Sequence, residues 1–159
     1  MKLRKAQDSD ISTLLRWFPD EASVRIWGGP DFRFPTSNEM FREDCRWGDI
    51  PSYCLDDEGG TLIGFGQAYR RLDRAHLARI VVGPNARSRG AGSALVEAIS
   101  NAALQDLQCR ENSLYVLPDN LAARKCYDKA GYREMPVAES IPFPVVFMVR
   151  PEPILRGPD

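Results

Sequence analysis

The stretch IVVGPNARSRGAGSAL, residues 80–95, decides the fold of this chain, because an apolar strand breaks there into a loop that opens directly onto an amphipathic helix. Arg87, Gly90 and Gly92 have the spacing RxxGxG. Glycines let the backbone approach a ligand closely, and the first turn of a helix directs unpaired N–H groups outward. The stretch therefore predicts a binding site for an anion and favours a ligand that carries phosphate.

Two other phosphate-binding loops do not match this stretch. A nucleotide-binding P-loop, GxxxxGK[ST], needs a lysine after its second glycine, where this chain has Ser93 and Ala94. A dinucleotide fingerprint needs three glycines after the first strand of a parallel sheet, whereas this loop has two and follows an antiparallel meander. A plain strand-to-helix turn is the structural alternative. Because Arg87 and Arg89 flank Ser88 beside the helix start, a pyrophosphate is favoured over that alternative.

The length and charge of the chain narrow its class. With 159 residues we expect one domain over residues 1–150, followed by a loose proline-rich tail at 151–159. The net charge of −1 is spread without a basic stripe, so nucleic acid is not an expected partner. No apolar run reaches the roughly 20 residues that span a bilayer, and the first residues lack the apolar core of a signal peptide. These observations predict a cytoplasmic protein without a membrane partner.

The cysteines and the histidine do not have the spacing of metal ligands. Cys45, Cys54, Cys109 and Cys126 are widely separated, contain no CxxC pair and are accompanied by the single histidine, His76. Because the usual sulfur and imidazole sites need such clustered ligands, the sequence predicts reduced thiols and no bound metal.

The hydrophobic pattern changes between strand and helix periods along the chain. Strands are predicted at residues 2–6, 52–57, 61–72, 75–82, 112–117 and 145–149, and helices at 11–18, at 36–46, from 91 onward and at 121–130. Residues 20–35 are expected to be irregular and rich in aromatic side chains. This order of elements predicts an α/β (α+β) fold with a mixed central sheet.

Two linked motifs resemble those of the GNAT-type N-acyltransferases, which move an acetyl group from acetyl-CoA onto an amine. The cofactor motif of that family, [QR]xxGx[GA] after an apolar strand and a proline, is matched by Val82, Pro84 and RSRGAG at residues 87–92. The second motif, Nxx[AS]xxxYxxxG[FY], is matched by Asn120, Ala123, Tyr127, Gly131 and Tyr132. The resemblance covers nearly all of residues 1–150. It implies a largely antiparallel sheet of six to seven strands, flanked by about four helices and splayed after the fourth strand.

The resemblance implies a set of cofactor-binding residues. Backbone groups of Ile80, Val81 and Val82 would pair with the pantetheine arm, and amides from Ser88 to Ser93 would hold the pyrophosphate. The full set comprises Ile80, Val81, Val82, Arg87, Ser88, Arg89, Gly90, Ala91, Gly92, Ser93, Asn120 and Tyr127. The oxyanion of the reaction would be stabilised by a backbone N–H near Val82.

Acyl transfer to an amine needs a proton donor for the leaving thiolate and a neutral amine. A phenol is protonated at neutral pH, so Tyr127 is the predicted general acid. The general base is open, since many family members have a glutamate at the position that Tyr115 occupies here. Asp31, Glu43, Asp44 and His76 are the candidates for this role.

The acceptor side is the part about which the sequence says least. Trp27, Asp31, Phe32, Phe34 and Tyr115 are the candidate substrate residues, and aromatic side chains favour a compact amine over a long polyamine. The leading hypothesis is an N-acetyltransferase that acts on a small-molecule or amino-acid-like primary amine by direct attack in a ternary complex. A protein N-terminal or lysine acetyltransferase and a non-catalytic acyl-CoA sensor are the alternatives. An edge strand could pair two copies into a homodimer.

Overall fold

Seven strands form one mixed sheet, and five α-helices pack on its two faces in the computed structural model, which describes residues 1–152. The strands are Lys2–Lys5 (β1), Ser52–Asp56 (β2), Leu62–Arg71 (β3), Arg74–Val82 (β4), Asn112–Val116 (β5), Arg133–Met135 (β6) and Val146–Arg150 (β7). The helices are Ile11–Arg16 (α1), Glu21–Gly28 (α2), Asn38–Asp44 (α3), Ala91–Leu107 (α4) and Leu121–Lys129 (α5). Apart from Pro151 and Glu152, the tail predicted to be loose lies outside the described residues. Within them, no helix is both long and apolar enough to cross a membrane.

The order of strands in the sheet is β1-β2-β3-β4-β5-β7-β6, and β4 with β5 is the parallel pair. That pair is short, since it joins Ala75 to Asn112, His76 to Ser113 and Leu77 to Leu114 and then ends. Beyond Leu77, β4 continues to Val82 while it is paired with β3 alone. The mixed sheet and the splay after the fourth strand are therefore confirmed.

Helix α4 covers one face of the sheet because two glycines in β3 leave room for its apolar stripe. Leu95 lies over Gly64, and Ile99 lies over Gly66, where a Cβ atom would stand 2.6 Å from the Ile99 Cδ1 atom. Leu95 and Ile99 are fully buried. This close packing of α4 on β3 fixes the position of the first turn of α4 relative to the end of β4.

Helices α1 to α3 cover the other face over the β2–β4 half of the sheet with a cluster of aromatic rings. Trp27 stacks on Phe18 with a ring separation of 4.5 Å and lies 5.9 Å from Phe41. Trp47 stacks on Phe65 of β3 at 6.1 Å. These rings form a second apolar core, so the aromatic-rich segment is an integral layer of the fold.

The structure corrects two of the element predictions. Residues 20–35 were expected to be irregular, yet they contain α2, which begins at a capping box in which Asp20 accepts from the Ser23 N–H and Ser23 returns a bond. Strand β6 was not predicted, because three exposed residues at the sheet edge have no hydrophobic alternation. Pairing with Phe147–Val149 of β7 holds it in the sheet.

Replacing Gly66 with valine should lower the free energy of unfolding by about 1–3 kcal/mol, because the new side chain overlaps the Ile99 tip and approaches Ile80. Denaturant unfolding measures the effect. Gly59→Val, at an exposed turn where the nearest atom to a Cβ is the Asp57 Oδ1 at 3.4 Å, is the matched control and should change stability by less than about 0.5 kcal/mol. Equal losses in both variants would contradict the packing argument.

Candidate active site

The last residues of β4 present free backbone groups toward the splay. Gly83 donates its N–H to the Ile63 carbonyl, so by strand alternation Val81 also bonds to its partner Phe65 in β3. Val82 consequently directs its backbone groups to the opposite side, where β5 has diverged. An extended ligand can add to such an edge in the manner of a strand. Of the three predicted pantetheine-binding residues, Val81 therefore differs from Val82, because the backbone groups of Val81 are directed at β3 and not at the splay.

A β-bulge at Arg79 shapes the vertex of the splay. The pairing shifts between Phe65 and Gln67, and Arg79 has φ +52°, in the left-handed region that few non-glycine residues adopt. The Trp27 Nε1 donates a hydrogen bond to the Arg79 carbonyl at 2.7 Å. Because the peptide is planar and trans, the Ile80 N–H points the opposite way from that carbonyl. Trp27 thus fixes the direction of a backbone donor at the vertex.

The predicted phosphate loop leads from the end of β4 into α4. A short 3₁₀ turn at Pro84–Ala86 is followed by Ser88 and Gly90, both with positive φ, at +62° and +78°. Gly90 has no side chain to cap the helix, and the first helical bond runs from the Ala94 N–H to the Gly90 carbonyl. The N–H groups of Ala91, Gly92 and Ser93 therefore lack intrahelical partners.

Positive charge surrounds these free N–H groups. Arg87 and Arg89 are exposed, and neither forms an ion pair with any residue of the described range. The partial positive charge of the α4 N-terminus adds to theirs. A Cβ atom at Gly90 would meet nothing within 4 Å, so the space above the loop is open. The arrangement suits a pyrophosphate group, and the cofactor expected from the sequence fits it.

Helix α5 brings the second motif against the first turn of α4. The Asn120 Oδ1 accepts from the Ala123 N–H at 3.3 Å and begins the helix. The helix ends at Lys129, and just beyond it Tyr132 donates its N–H to the Tyr127 carbonyl across Gly131. The Cys126 Sγ lies 3.8 Å from the Ser93 Oγ, so the residue that precedes Tyr127 contacts the predicted phosphate loop.

Tyr127 is partly buried between α5 and the sheet, with its ring 6.0 Å from that of Tyr132. Burial raises the pKa of the Tyr127 hydroxyl above its usual value, and the neighbouring Cys126 adds to the effect. The phenol therefore keeps its proton throughout the neutral range. The hydroxyl has no hydrogen-bond partner within residues 1–152. It is free to donate to a ligand.

A polar cluster lies at the vertex on the face opposite α4. The Tyr115 hydroxyl donates to the Glu139 Oε2 at 2.7 Å, and Arg71 forms an ion pair with the same oxygen. The His76 ring lies 5.0 Å from Tyr115 and shares a hydrogen bond of 2.8 Å between its Nδ1 and the Ser113 Oγ. The cluster joins β3, β4 and β5 to the loop before β7.

The four predicted base candidates lie in different environments. Burial lowers the pKa of His76 to about 4. Asp31 is exposed on the loop after α2. Glu43 and Asp44 both pair with Arg33, and although burial raises the pKa of Asp44, the Arg33 contacts bring it below its ordinary value.

The predicted substrate residues fall into different environments. Trp27 lies at the vertex, Tyr115 lies in the polar cluster, and Asp31 is exposed. Phe32 is 3% exposed, so it belongs to the aromatic core. Phe34 is 38% exposed and borders a cavity of about 160 Å³. That cavity is lined by Leu15, Phe18, Val24, Phe34, Pro35, Thr36 and Phe41.

Sequence reasoning missed Arg71 and Arg79 as residues of this region. A positive φ at an arginine has no sequence signature, because glycine and asparagine are the residues that usually signal it. The contact of Glu139 with Tyr115 spans 24 residues and depends on the path of the loop. The one indication in the sequence was Tyr115, an aromatic residue at the position where the resemblance implies a glutamate.

Stability should fall as the pH is lowered from about 6.5 to about 4, because the single histidine stays neutral in the folded protein and gains a proton when the chain unfolds. The slope contributed by His76 is at most about 1.4 kcal/mol per pH unit. Denaturant unfolding of the wild type and of His76→Gln across this range measures it, and the variant should show a flatter dependence. Identical profiles would refute the assignment.

The comparisons with known proteins agree with this architecture. The sequence profile of the acetyltransferase (GNAT) family matches residues 21–132. The aminoglycoside N(6')-acetyltransferases type 1 of Klebsiella pneumoniae and of Serratia marcescens are each 23% identical over 169 residues, which cover 93% of this chain and 81% of the relative.

Solved structures show the same fold. The aminoglycoside acetyltransferase AAC(6')-Ib in complex with paromomycin and acetyl-CoA has a TM-score of 0.76 at 22% identity, over 94% of this chain and 92% of that one. The Vibrio cholerae spermidine N-acetyltransferase in complex with CoA and spermine has a TM-score of 0.73 at 18% identity, over 95% of each chain. Since the family profile matches well over half of the sequence, this chain belongs to the acetyltransferase (GNAT) family.

Proposed function

We propose that this protein transfers the acetyl group of acetyl-CoA to the primary amine of a small-molecule or amino-acid-like acceptor, by direct attack in a ternary complex. The observation that carries the proposal is the splay beyond Leu77, which opens a strand edge directly beside the bare start of α4. The structural neighbours crystallised with acetyl-CoA or CoA support the choice of cofactor. The same neighbours were crystallised with amine-containing ligands, which supports an amine acceptor.

Different groups of the chain would bind the pyrophosphate and the pantetheine arm of the cofactor. The loop from Arg87 to Ser93 would hold the pyrophosphate through its free N–H groups and two guanidinium groups. Val82 would pair with the pantetheine amides, since its backbone groups face the splay, and the resemblance implies the same role for Ile80. Asn120 stays a predicted contact, because its Oδ1 caps α5 while its Nδ2 remains available for a ligand.

The reaction forms a bond between the amine nitrogen and the acetyl carbon and breaks the carbon–sulfur bond of the thioester. Tyr127 would give its proton to the departing thiolate as negative charge develops on the sulfur. The oxyanion would be stabilised by the Val82 N–H, as the resemblance implies, together with the Ile80 N–H that Trp27 orients. The proton lost by the amine would pass to water, and the Tyr127 phenolate would regain a proton from water after the thiol has formed.

Titration calorimetry with acetyl-CoA, followed by thiol release across a panel of amines and peptides, tests the proposal. We expect acetyl-CoA binding and thiol release that depends on a small amine. Preference for peptides would instead identify a protein acetyltransferase. Binding without thiol release under any condition would identify an acyl-CoA sensor, and absence of binding by folded protein would overturn the enzymatic interpretation. Cytoplasmic location and homodimer formation stay predictions.

Gly90→Val should weaken acetyl-CoA binding at least tenfold, because a β-branched residue at φ +78° strains the loop whose N–H groups hold the pyrophosphate. Calorimetry measures the dissociation constant. Gly60→Val is the matched control, since Gly60 has φ +84° and equally open space but lies in the β2–β3 turn. If both variants bind acetyl-CoA as the wild type does, the loop is not the pyrophosphate site.

Tyr127→Phe should lower kcat by roughly 100-fold or more while changing acetyl-CoA affinity little, because it removes the proton donor and keeps the ring. Steady-state thiol release and calorimetry separate the two quantities. Tyr53→Phe is the control, since the Tyr53 hydroxyl donates to Asp106 at 2.6 Å, away from the splay. Unchanged turnover in Tyr127→Phe would remove this residue from the mechanism.

A further inference from the structure

Arg79 lies on β4 beside the vertex of the splay, and its guanidinium has no carboxylate partner within residues 1–152. Its Nη1 donates to the Gln67 Oε1 at 2.9 Å, whereas its Nε is buried and has no partner within the described residues. No ion pair of Arg79 is found in residues 1–152. A partly buried charge that is left so incompletely bonded is costly, and it points to a group supplied from outside the chain.

The polar surroundings of Arg79 are fixed before any ligand arrives. Gln67 is fully buried, and its Nε2 donates to the Cys45 carbonyl at 2.8 Å and to the Ser52 Oγ at 2.9 Å. Its amide oxygen is therefore aimed at Arg79 and holds one edge of the guanidinium. Since neutral Gln67 cannot balance the charge, it orients the cation without satisfying it.

The carboxylates near this face are engaged elsewhere. The positive charge of Arg79 lowers the pKa of Asp44. Both carboxylate oxygens of Asp44, however, accept hydrogen bonds from Arg33 at 3.1–3.2 Å. Glu139 accepts from Arg71 and Tyr115 through its Oε2. Arg33 and Arg71 thus have partners of opposite charge, whereas Arg79 has none within the part of the chain that the structure describes.

Arg79 also lies where an acceptor must approach the thioester. It follows the last β4–β5 pair at Leu77 by two residues, and its own carbonyl is the one that Trp27 holds. Its backbone is in the left-handed region, a conformation that costs energy at a non-glycine residue and is concentrated at functional sites. The bulge therefore places Arg79 on the same strand as the predicted oxyanion donors.

We propose that Arg79 binds a carboxylate of the acceptor, so that the preferred substrates are amines that carry an acidic group, such as amino acids. This inference rests on the proposed function and specifies its acceptor class. An arginine fork pairs with a carboxylate through two parallel hydrogen bonds. A polycationic acceptor would instead bring an ammonium group near an unbalanced guanidinium, which like-charge repulsion disfavours.

The test compares α-amino acids with their carboxamides in the thiol-release assay. The wild type should favour the acids by at least tenfold in kcat/KM when kcat/KM is expressed per concentration of unprotonated amine, since the carboxamides are the weaker bases. Arg79→Gln should lower kcat/KM for the acids by about 10- to 100-fold, mainly through KM, and leave the carboxamides unchanged, because the lost interaction is a charged hydrogen bond. Arg79→Lys should restore part of the preference, since it retains the charge and loses the fork. Arg110→Gln, an exposed arginine at the far end of β5, should match the wild type.

Several results would overturn the assignment. Equal losses for acids and carboxamides in Arg79→Gln would make Arg79 a structural residue, and a wild-type preference for carboxamides or polyamines would refute the acceptor class without any variant. Melting temperatures show whether the variants are folded. Failure of the proposed function has a different signature, because then no amine releases thiol in the wild type, whatever its charge.

Discussion

The early end of the pairing between β4 and β5 is the constraint on which the rest of the structure depends. Three residue pairs hold the strands together, after which β4 continues alone beside β3. A parallel pair that opened without support would expose apolar side chains, so both faces of β4 must be covered beyond Leu77. Helix α4 covers one face through Leu95 and Ile99, and the aromatic core covers the other. The two layers cover the flanks of the opening and leave its edge accessible.

The aromatic core is coupled to the open edge of β4 by a hydrogen bond. Trp27 stacks within the core and also bonds to the Arg79 carbonyl, so the rings of α1 to α3 set the orientation of a peptide in β4. The same bulge directs the arginine side chain toward Gln67. The geometry of β4 at the proposed reaction site thus depends on the packing of the aromatic core. Substitutions in the N-terminal helices are therefore expected to change turnover as well as stability.

Local patterns in the sequence predicted much of the fold and the cofactor side of the site. The glycines at 90 and 131 mark a helix start and a helix end because their positive φ values are rarely tolerated by other residues. The acceptor side was not predictable in the same way. Helix α2 depends on the reciprocal bonds of Asp20 and Ser23 within a segment that contains many turn residues. Phe32 could not be assigned to a core before its neighbours were known, since exposed and buried phenylalanines look alike in a sequence.

The presence of Tyr115 where relatives place a carboxylate has a consequence for acceptor choice. Its hydroxyl is tied to Glu139, and the nearby imidazole is held neutral by burial, so neither group readily takes up a proton from a bound ammonium. The fraction of acceptor that reacts at a given moment is then governed by its own acid–base equilibrium in the surrounding water. Amines that are weak bases would react more readily under such conditions, because a larger fraction of them is unprotonated at neutral pH. Part of the selectivity would then come from the protonation equilibrium of the acceptor in solution, which the protein does not change.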